Sequence, residues 1–545
     1  MLIVGFKVNA TQAVVYSTVL STILLYLLCR KTYKTIGQVL AQQAVRHSNC
    51  EAVTDAAHRF TYAQWEALTD QAAKALLSRG IKKGTHVGVY ANDNAVTLCA
   101  YYAVWKIGAV LVPLCNSYQQ AESTRCLIDA DITHLLLGGG PSGLRREDFP
   151  ARIDVIPLAS QDDLNTLLLS GRAYGDAALR AAKNLVTADD PDTILFTSGT
   201  IERPKPVLTT HFSRVNVMLA QANVLEATEQ DRFCSVLPMY HCFALTATVL
   251  AAMTAGACVC FPADRHGRTI LETIQRERCT ILTAVPTLFS VLLERYKQGR
   301  YDVSSLRAGL IGGSGFQQEL YLDVCRTFSF DLLPSLGQTE ATAGISSCGL
   351  HDPIDVRLRT LGRFFPGVEG CIKSTVTGSV VPSGTAGEIC IRGYNVMQGY
   401  YKLPAATSYT IDKDGWLHTG DLGSLDSAGY LTYAGRKKEI IIRGGENISP
   451  SEIEALIKAD LNVEDVRVIG IPDRHYGETV CACVIAHTPM TEEHIRNLVR
   501  SRAASFKVPQ QVLFFEEFPH SPLGKIQLSA LKAAALDRLG ITTGV

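Results

Sequence analysis

The chain has 545 residues, 47% of them hydrophobic and 19% charged, and its 52 Lys and Arg balance its 52 Asp and Glu. That length exceeds one compact core, so two or more domains are expected. Zero net charge with no block of like charges excludes a nucleic-acid-binding arm, and sixteen cysteines without a CxxC pair exclude a zinc ribbon or a secreted disulfide scaffold. The bulk of the chain therefore reads as belonging in a reducing, cytosolic setting.

At the amino end, Val8 to Cys29 reads "VNATQAVVYSTVLSTILLYLLC" without a charge. At about 22 residues it is long enough to cross a bilayer core. Arg30, Lys31 and Lys34 follow, only Lys7 precedes, and no small-x-small cleavage site comes after. These flanks predict residues 1–34 as an anchor helix in the membrane, with the domains that follow in the cytoplasm. The alternatives are a buried helix in a wholly cytoplasmic protein or a start codon placed too far upstream.

From residue 35 helical and strand patterns alternate. "RFTYAQWEALTDQAAKALLSRG" places Trp65, Leu68, Ala72 and Leu76 at helical spacing, with Thr61 and Gln64 as a capping box. "HVGVY", "AVLVPL", "THLLLG", "TILFTSG", "RFCSVLP", "CTILTAVP" and "RAGLIGGSG" are short apolar runs of strand type. The span from about 136 to 175 reads as a loop-rich surface excursion. Cys258/Cys260 and Cys481/Cys483 lie in apolar runs, where strand alternation puts each pair on one face of a core. Near Gly435 a second unit begins: "NISPSEIEALIKA" opens a helix with Ser449 at N-cap, Pro450 at N1 and Glu452 at N3. "DVRVIGIPD" and "TVCACVIAH" follow as strands, then "TEEHIRNLVRSRAAS" as a helix. The fold class is α/β, with a large N-terminal α/β domain of several sheets over residues 35–434 and a small, mobile C-terminal α+β domain over 435–545.

"FTSGTIERPKPVLTTH" (196–211) joins a strand to small hydroxylated residues, a glycine and Lys205, the groups a polyphosphate wants. It is not a Walker A loop, and taken alone it reads better as an ordinary turn. Downstream stand "LPMYH" (237–241), "LIGGSG" (310–315), "SLGQTEAT" (335–342), "WLHTGDLG" (416–423), "GRKKEIIIRGGENISPSEIE" (435–454) and "SPLGKIQ" (521–527). In order and spacing this set resembles the adenylate-forming superfamily of acyl-CoA synthetases, luciferases and peptide-synthetase adenylation domains, over about residues 36 to 535.

The resemblance implies an ATP-dependent carboxylate–CoA ligase using ATP, Mg2+ and coenzyme A on a small-molecule carboxylic acid, fatty acids and their relatives first. An aryl acid, or an acyl carrier protein as the thiol partner, is the nearest alternative. A non-catalytic scaffold with a decayed loop is the more distant one. It implies that Thr197, Ser198, Gly199, Thr200 and Lys205 surround the phosphates, with Gly313 and Gln338 beside the nucleotide. Thr339 offers a hydroxyl to phosphate and Glu340 holds Mg2+. Asp421 and Arg436 reach the ribose, and Lys525 bridges the acid and the α-phosphate during adenylation. His241 is the gate of the acyl pocket, Lys438 the hinge, and Gly444 and Gly445 belong to the loop brought in for the second half-reaction.

The phosphate loop departs from the family pattern, Ser/Thr-Gly-Thr-Thr-Gly-x-Pro-Lys-Gly, at Ile201, Glu202 and Pro206. A carboxylate about 6 Å from a phosphate charge costs roughly 3 kcal/mol at an effective dielectric of ~20, or about a hundredfold in ATP affinity. Leu336 stands where an aromatic residue is usual against adenine, and Gly315 where proline is usual.

Overall fold

The computed structural model describes residues 31–197, 204–316, 318–436, 441–448, 450–519, 526 and 528–541. Two large sheets dominate the first four hundred residues. In the seven-stranded one, Lys205–Thr210, Pro191–Thr197, Val110–Pro113, His86–Ala91, His134–Gly138 and Asp154–Pro157 lie side by side. In the nine-stranded one, Arg232–Cys234, Ile281–Leu282, Ala308–Ile311 and Asp331–Leu336 run parallel at its centre. The helix Ala95–Lys106 is buried on every side, as a helix apolar all round must be. Its one charge, the Lys106 ammonium, is held by Glu66, Asp70 and the Thr69 hydroxyl.

The capping box at Thr61 and Gln64 forms as expected, starting the helix Tyr62–Ser78. Trp65, Ala72 and Leu76 are buried on its inner face. Each apolar run read as a strand contains one. Residues 136–175 differ from expectation: they contain the edge strand Asp154–Pro157 and the helix Gln161–Ser170. Leu164 and Leu167, three residues apart, bury one face of that helix and draw the segment onto the body.

A four-stranded antiparallel sheet follows: Val368–Lys373, Gly387–Gly393, Leu417–Leu425 and Leu431–Arg436. The division expected between residues 434 and 435 falls within its last strand. Beyond it, Glu446–Ile448, Ile441–Arg443, Gly477–Ala486 and Val463–Asp473 form a further sheet, extended by Gln511–Phe514. The helices Pro450–Lys458 and Glu492–Arg500 bury Ile453, Ile457, Ile495 and Val499 in this unit's own core. Cys258, Cys260, Cys481 and Cys483 are buried and unbridged.

The membrane anchor requires correction. Among the described residues no helix is long and apolar enough to cross a membrane. The longest, Tyr62–Ser78, has 17 residues and carries polar groups along its outer face. The Val8–Cys29 segment itself lies outside the described residues, so membrane attachment and the localisation built on it have no support in the fold.

Candidate active site

Where the parallel strands of both large sheets end at their carboxyl edges, the chain turns into the motifs singled out in the sequence. This is where open α/β sheets bind ligands. A cavity of about 490 Å³ opens there, lined by Thr197, Lys205, His241, Gly313, Gln338, Thr339, Glu340, Gly444 and Gly445 among others. Nine of the expected site residues, drawn from five separate stretches of sequence, thus share one wall-to-wall space.

Thr339 and Glu340 sit on a single helical turn, Thr339–Ala341, directly after the strand Asp331–Leu336. The turn is tight because Gly337 packs against Ala343: a Cβ at Gly337 would stand 2.1 Å from the Ala343 carbonyl oxygen. The Tyr400 hydroxyl donates to Glu340 Oε1 at 2.8 Å. One carboxylate oxygen is thereby fixed while the residue lines the cavity, an arrangement that fits a carboxylate holding Mg2+. The Lys205 ammonium lies over the Tyr400 ring, 4.6 Å from its centroid, so one tyrosine orients both a cation and an anion. Burial and the Glu340 carboxylate both push the Tyr400 phenol well above its ordinary value, keeping it a donor. The Thr339 hydroxyl contacts Cys242 Sγ at 3.5 Å.

On the opposite side, His241 Nε2 lies 3.0 Å from Glu446 Oε2. The loop that carries His241 is pinned from behind: the Met239 N–H donates to both oxygens of Asp93, which also pairs with Arg265. Burial pushes the Asp93 carboxyl up against the pull of Arg265. Burial also works to raise Glu446, but His241, Lys507 and Arg265 outweigh it and hold the carboxyl below its usual range. Gly444 and Gly445 both have positive φ, 59° and 88°. That backbone suits glycine and lets the turn present Glu446 to His241.

Lys373, Glu388 and His418, from three strands of the four-stranded sheet, line the cavity together with Asp412. Lys373 Nζ pairs with Asp412 at 2.9 Å, and His418 lies between Glu388 (3.1 Å) and Asp412 (3.3 Å). Burial works to raise the Asp412 carboxyl, yet Lys373 and the Trp416 and Asp414 N–H groups hold it far below normal. Asp421 is buried one residue past Gly420, which lines the cavity, and stands opposite Arg436 in the strand register. The backbone of Arg436 is described; its side chain is not. Ser198, Gly199, Thr200, Lys438 and Lys525 lie outside the described residues, as do Ile201 and Glu202.

Sequence reading missed Glu446, Tyr400, Lys373 and Asp412. Glu446 sits inside the quoted "RGGEN" and Tyr400 inside "QGYYKLP". In both, a polar residue flanked by turn-forming glycine was the available signal.

The family described as AMP-binding enzyme matches residues 40–401, and its C-terminal domain matches residues 452–525. An acyl-CoA ligase of Ajellomyces capsulatus is 32% identical, covering 91% of this chain and 90% of that protein. A mitochondrial medium-chain acyl-CoA ligase of Rattus norvegicus is 30% identical, covering 92% and 87%. Among solved structures, a double variant of o-succinylbenzoate CoA synthetase from Bacillus subtilis bound to its product analogue has a TM-score of 0.81 at 26% identity, covering 92% of this chain and 99% of that one. The same synthetase in complex with AMP gives 0.66 at 25% identity, covering 92% and 98%.

Proposed function

The chain belongs to the AMP-binding enzyme family of adenylate-forming acyl-CoA synthetases, and on that premise we propose the residue roles and the acid class that follow. The enzyme is an AMP-forming acid–CoA ligase. In the first half-reaction a carboxylate oxygen attacks the α-phosphorus of ATP and pyrophosphate leaves. In the second, the thiol sulfur of coenzyme A attacks the acyl carbon, loses its proton, and AMP leaves. Both steps bring negative groups together, so the protein's work is positioning and charge compensation.

The observation that carries the reading is the single cavity uniting Thr197, Lys205, Thr339, Glu340 and the Gly444–Gly445–Glu446 turn. Thr197 and Lys205, with Ser198, Gly199 and Thr200 between them in sequence, would receive the β- and γ-phosphates. Thr339 would donate to phosphate oxygen, and Glu340, oriented by Tyr400, would hold Mg2+. Bound there, the metal would neutralise phosphate charge. Gly313 and Gln338 would face the nucleotide, Asp421 and Arg436 the ribose. Lys525 is assigned to adenylation by its place in "PLGK", and Lys438 to the hinge between a large unit ending near residue 434 and a small one beginning at 435.

We assign the acid to the apolar end of the cavity, where Leu237, Pro238, Cys242, Phe243, Val285 and Ala343 meet His241. These six side chains favour an aliphatic chain; Glu446, paired with His241, is the carboxylate that borders them. The rat relative's name, a medium-chain ligase, points the same way. The test is a panel of straight-chain, branched and aryl acids with ATP and coenzyme A, read as thioester. Preference for aliphatic acids supports the assignment; preference for aryl acids, or transfer only to a carrier-protein phosphopantetheine, overturns it.

A further inference from the structure

The Lys507 ammonium is 3% exposed and lies between two carboxylates, Glu452 at 2.7 Å and Glu122 at 2.9 Å. Glu452 belongs to the first turn of the helix Pro450–Lys458, on Lys507's own side of the molecule. Glu122 is 385 residues upstream, on the helix Gln120–Asp129 of the large body. Tyr118, from the same side as Glu122, puts its ring 5.1 Å from the ammonium. None of these four residues lines the cavity described above.

A short chain of contacts nevertheless joins them to it. The residue before Lys507, Phe506, accepts a hydrogen bond at its carbonyl from Arg443 Nη1 at 2.7 Å. Arg443 directly precedes the Gly444–Gly445–Glu446 turn. It lies over the Tyr476 ring, while the Gly444 N–H donates to the Tyr476 carbonyl at 2.9 Å. From Glu122 to Glu446 and His241 the path is therefore Lys507, the Phe506 carbonyl, Arg443 and the turn itself.

We propose that Lys507 is a positioning residue for the thioester-forming half-reaction: by bridging Glu452 to Glu122 it holds the Gly444–Gly445–Glu446 turn in the cavity while the thiol reacts. The proposal rests on the ligase reading. Its chemistry suits a contact that must open as well as close. When the small unit turns away, Lys507 keeps Glu452. Glu122 keeps the backbone N–H of Gln119, which it already accepts at 3.1 Å. Neither charge is left buried alone, the circumstance that makes most broken ion pairs costly. The contact thus biases one arrangement without trapping it. The higher TM-score to the product-analogue complex than to the AMP complex of one synthetase agrees with a molecule in the thioester-forming arrangement.

The experiment measures the two half-reactions separately in the full-length enzyme: acid-dependent ATP–pyrophosphate exchange, and thioester formation on adding coenzyme A. The variants are Glu122→Gln, Lys507→Met and both together. Exchange is expected to stay within about twofold of wild type, while thioester formation falls roughly tenfold or more in each single variant and no further in the double. Lys507→Arg should recover most of the loss. Should Lys507→Met fail to fold, Glu122→Gln decides the matter alone, since it alters only the large body's half of the contact. Equal losses in both half-reactions, an unchanged thioester rate, or additive effects in the double overturn the proposal. Absence of exchange in the wild type with every acid overturns instead the ligase reading, and the positioning role with it.

Discussion

His241 and Glu446, 205 residues apart in sequence, both line the cavity and meet at 3.0 Å. The contact ties His241 of the large body to the turn of the small unit, so it exists only while the two are docked in this arrangement. Removing the carboxylate's charge with Glu446→Gln should therefore slow thioester formation and spare pyrophosphate exchange. Equal effects on both would show that the pair serves the fold and not the second step.

The same pair sets an acid limit. The Glu446 carboxyl is held below its ordinary value of 4.5, so its contribution is whole above about pH 4.5 and fades as pH falls through the lower, folded-state value. Below about pH 5 the melting-temperature gap between wild type and Glu446→Gln should close as pH falls. A gap that stays open through the acid range would contradict the assignment.

Tyr400→Phe keeps the ring beneath Lys205 and removes only the hydroxyl that orients Glu340. A hydrogen bond to a charged group is worth about 1.5–3 kcal/mol. The Mg2+ concentration for half-maximal exchange should rise by about tenfold, with the rate recovered at saturating metal. An unchanged metal dependence would remove Tyr400 from the metal's support.

Asp192, on the strand Pro191–Thr197, and Arg214, on the helix His211–Val224, form an ion pair with neither side chain exposed, backed by the hydroxyls of Thr193, Thr209 and Thr246. Burial works to raise Asp192, and Arg214 with its neighbours more than reverses it. Arg214→Met leaves a buried charge without its partner and should cost about 3–5 kcal/mol in denaturant unfolding. A loss well under about 1 kcal/mol would mean that water reaches the site.

In the sequence motif 196–211, Glu202 stands where the family pattern has glycine. Glu202→Gly should lower the KM for ATP, by up to about a hundredfold if the carboxylate faces phosphate. An increase would show that the glutamate contributes to nucleotide binding.

The elements were legible because each is a local pattern: the Thr61–Gln64 box, the Trp65–Ala72–Leu76 stripe and the apolar strand runs all depend on near neighbours. The helix Gln161–Ser170 was missed although Leu164 and Leu167 mark its buried face, since the glycine- and proline-rich stretch before it obscured the period. The apolar run at Val8–Cys29 pointed to a membrane helix that nothing among the described residues supports. Nine motif residues that line the cavity were legible in the sequence, while Glu446 inside "RGGEN" and the partners of these residues were not. Tyr400 under Lys205, Glu446 on His241 and Lys507 on Glu122 are meetings made by tertiary packing, and no spacing along one strand or helix encodes them.

Acid-dependent ATP–pyrophosphate exchange, with wild type beside Lys525→Ala, tests the central claim most directly. The account predicts exchange with aliphatic acids in the wild type and its loss, by several orders of magnitude, in the variant. Exchange that survives in Lys525→Ala, or no exchange by the wild type with any acid, would contradict it.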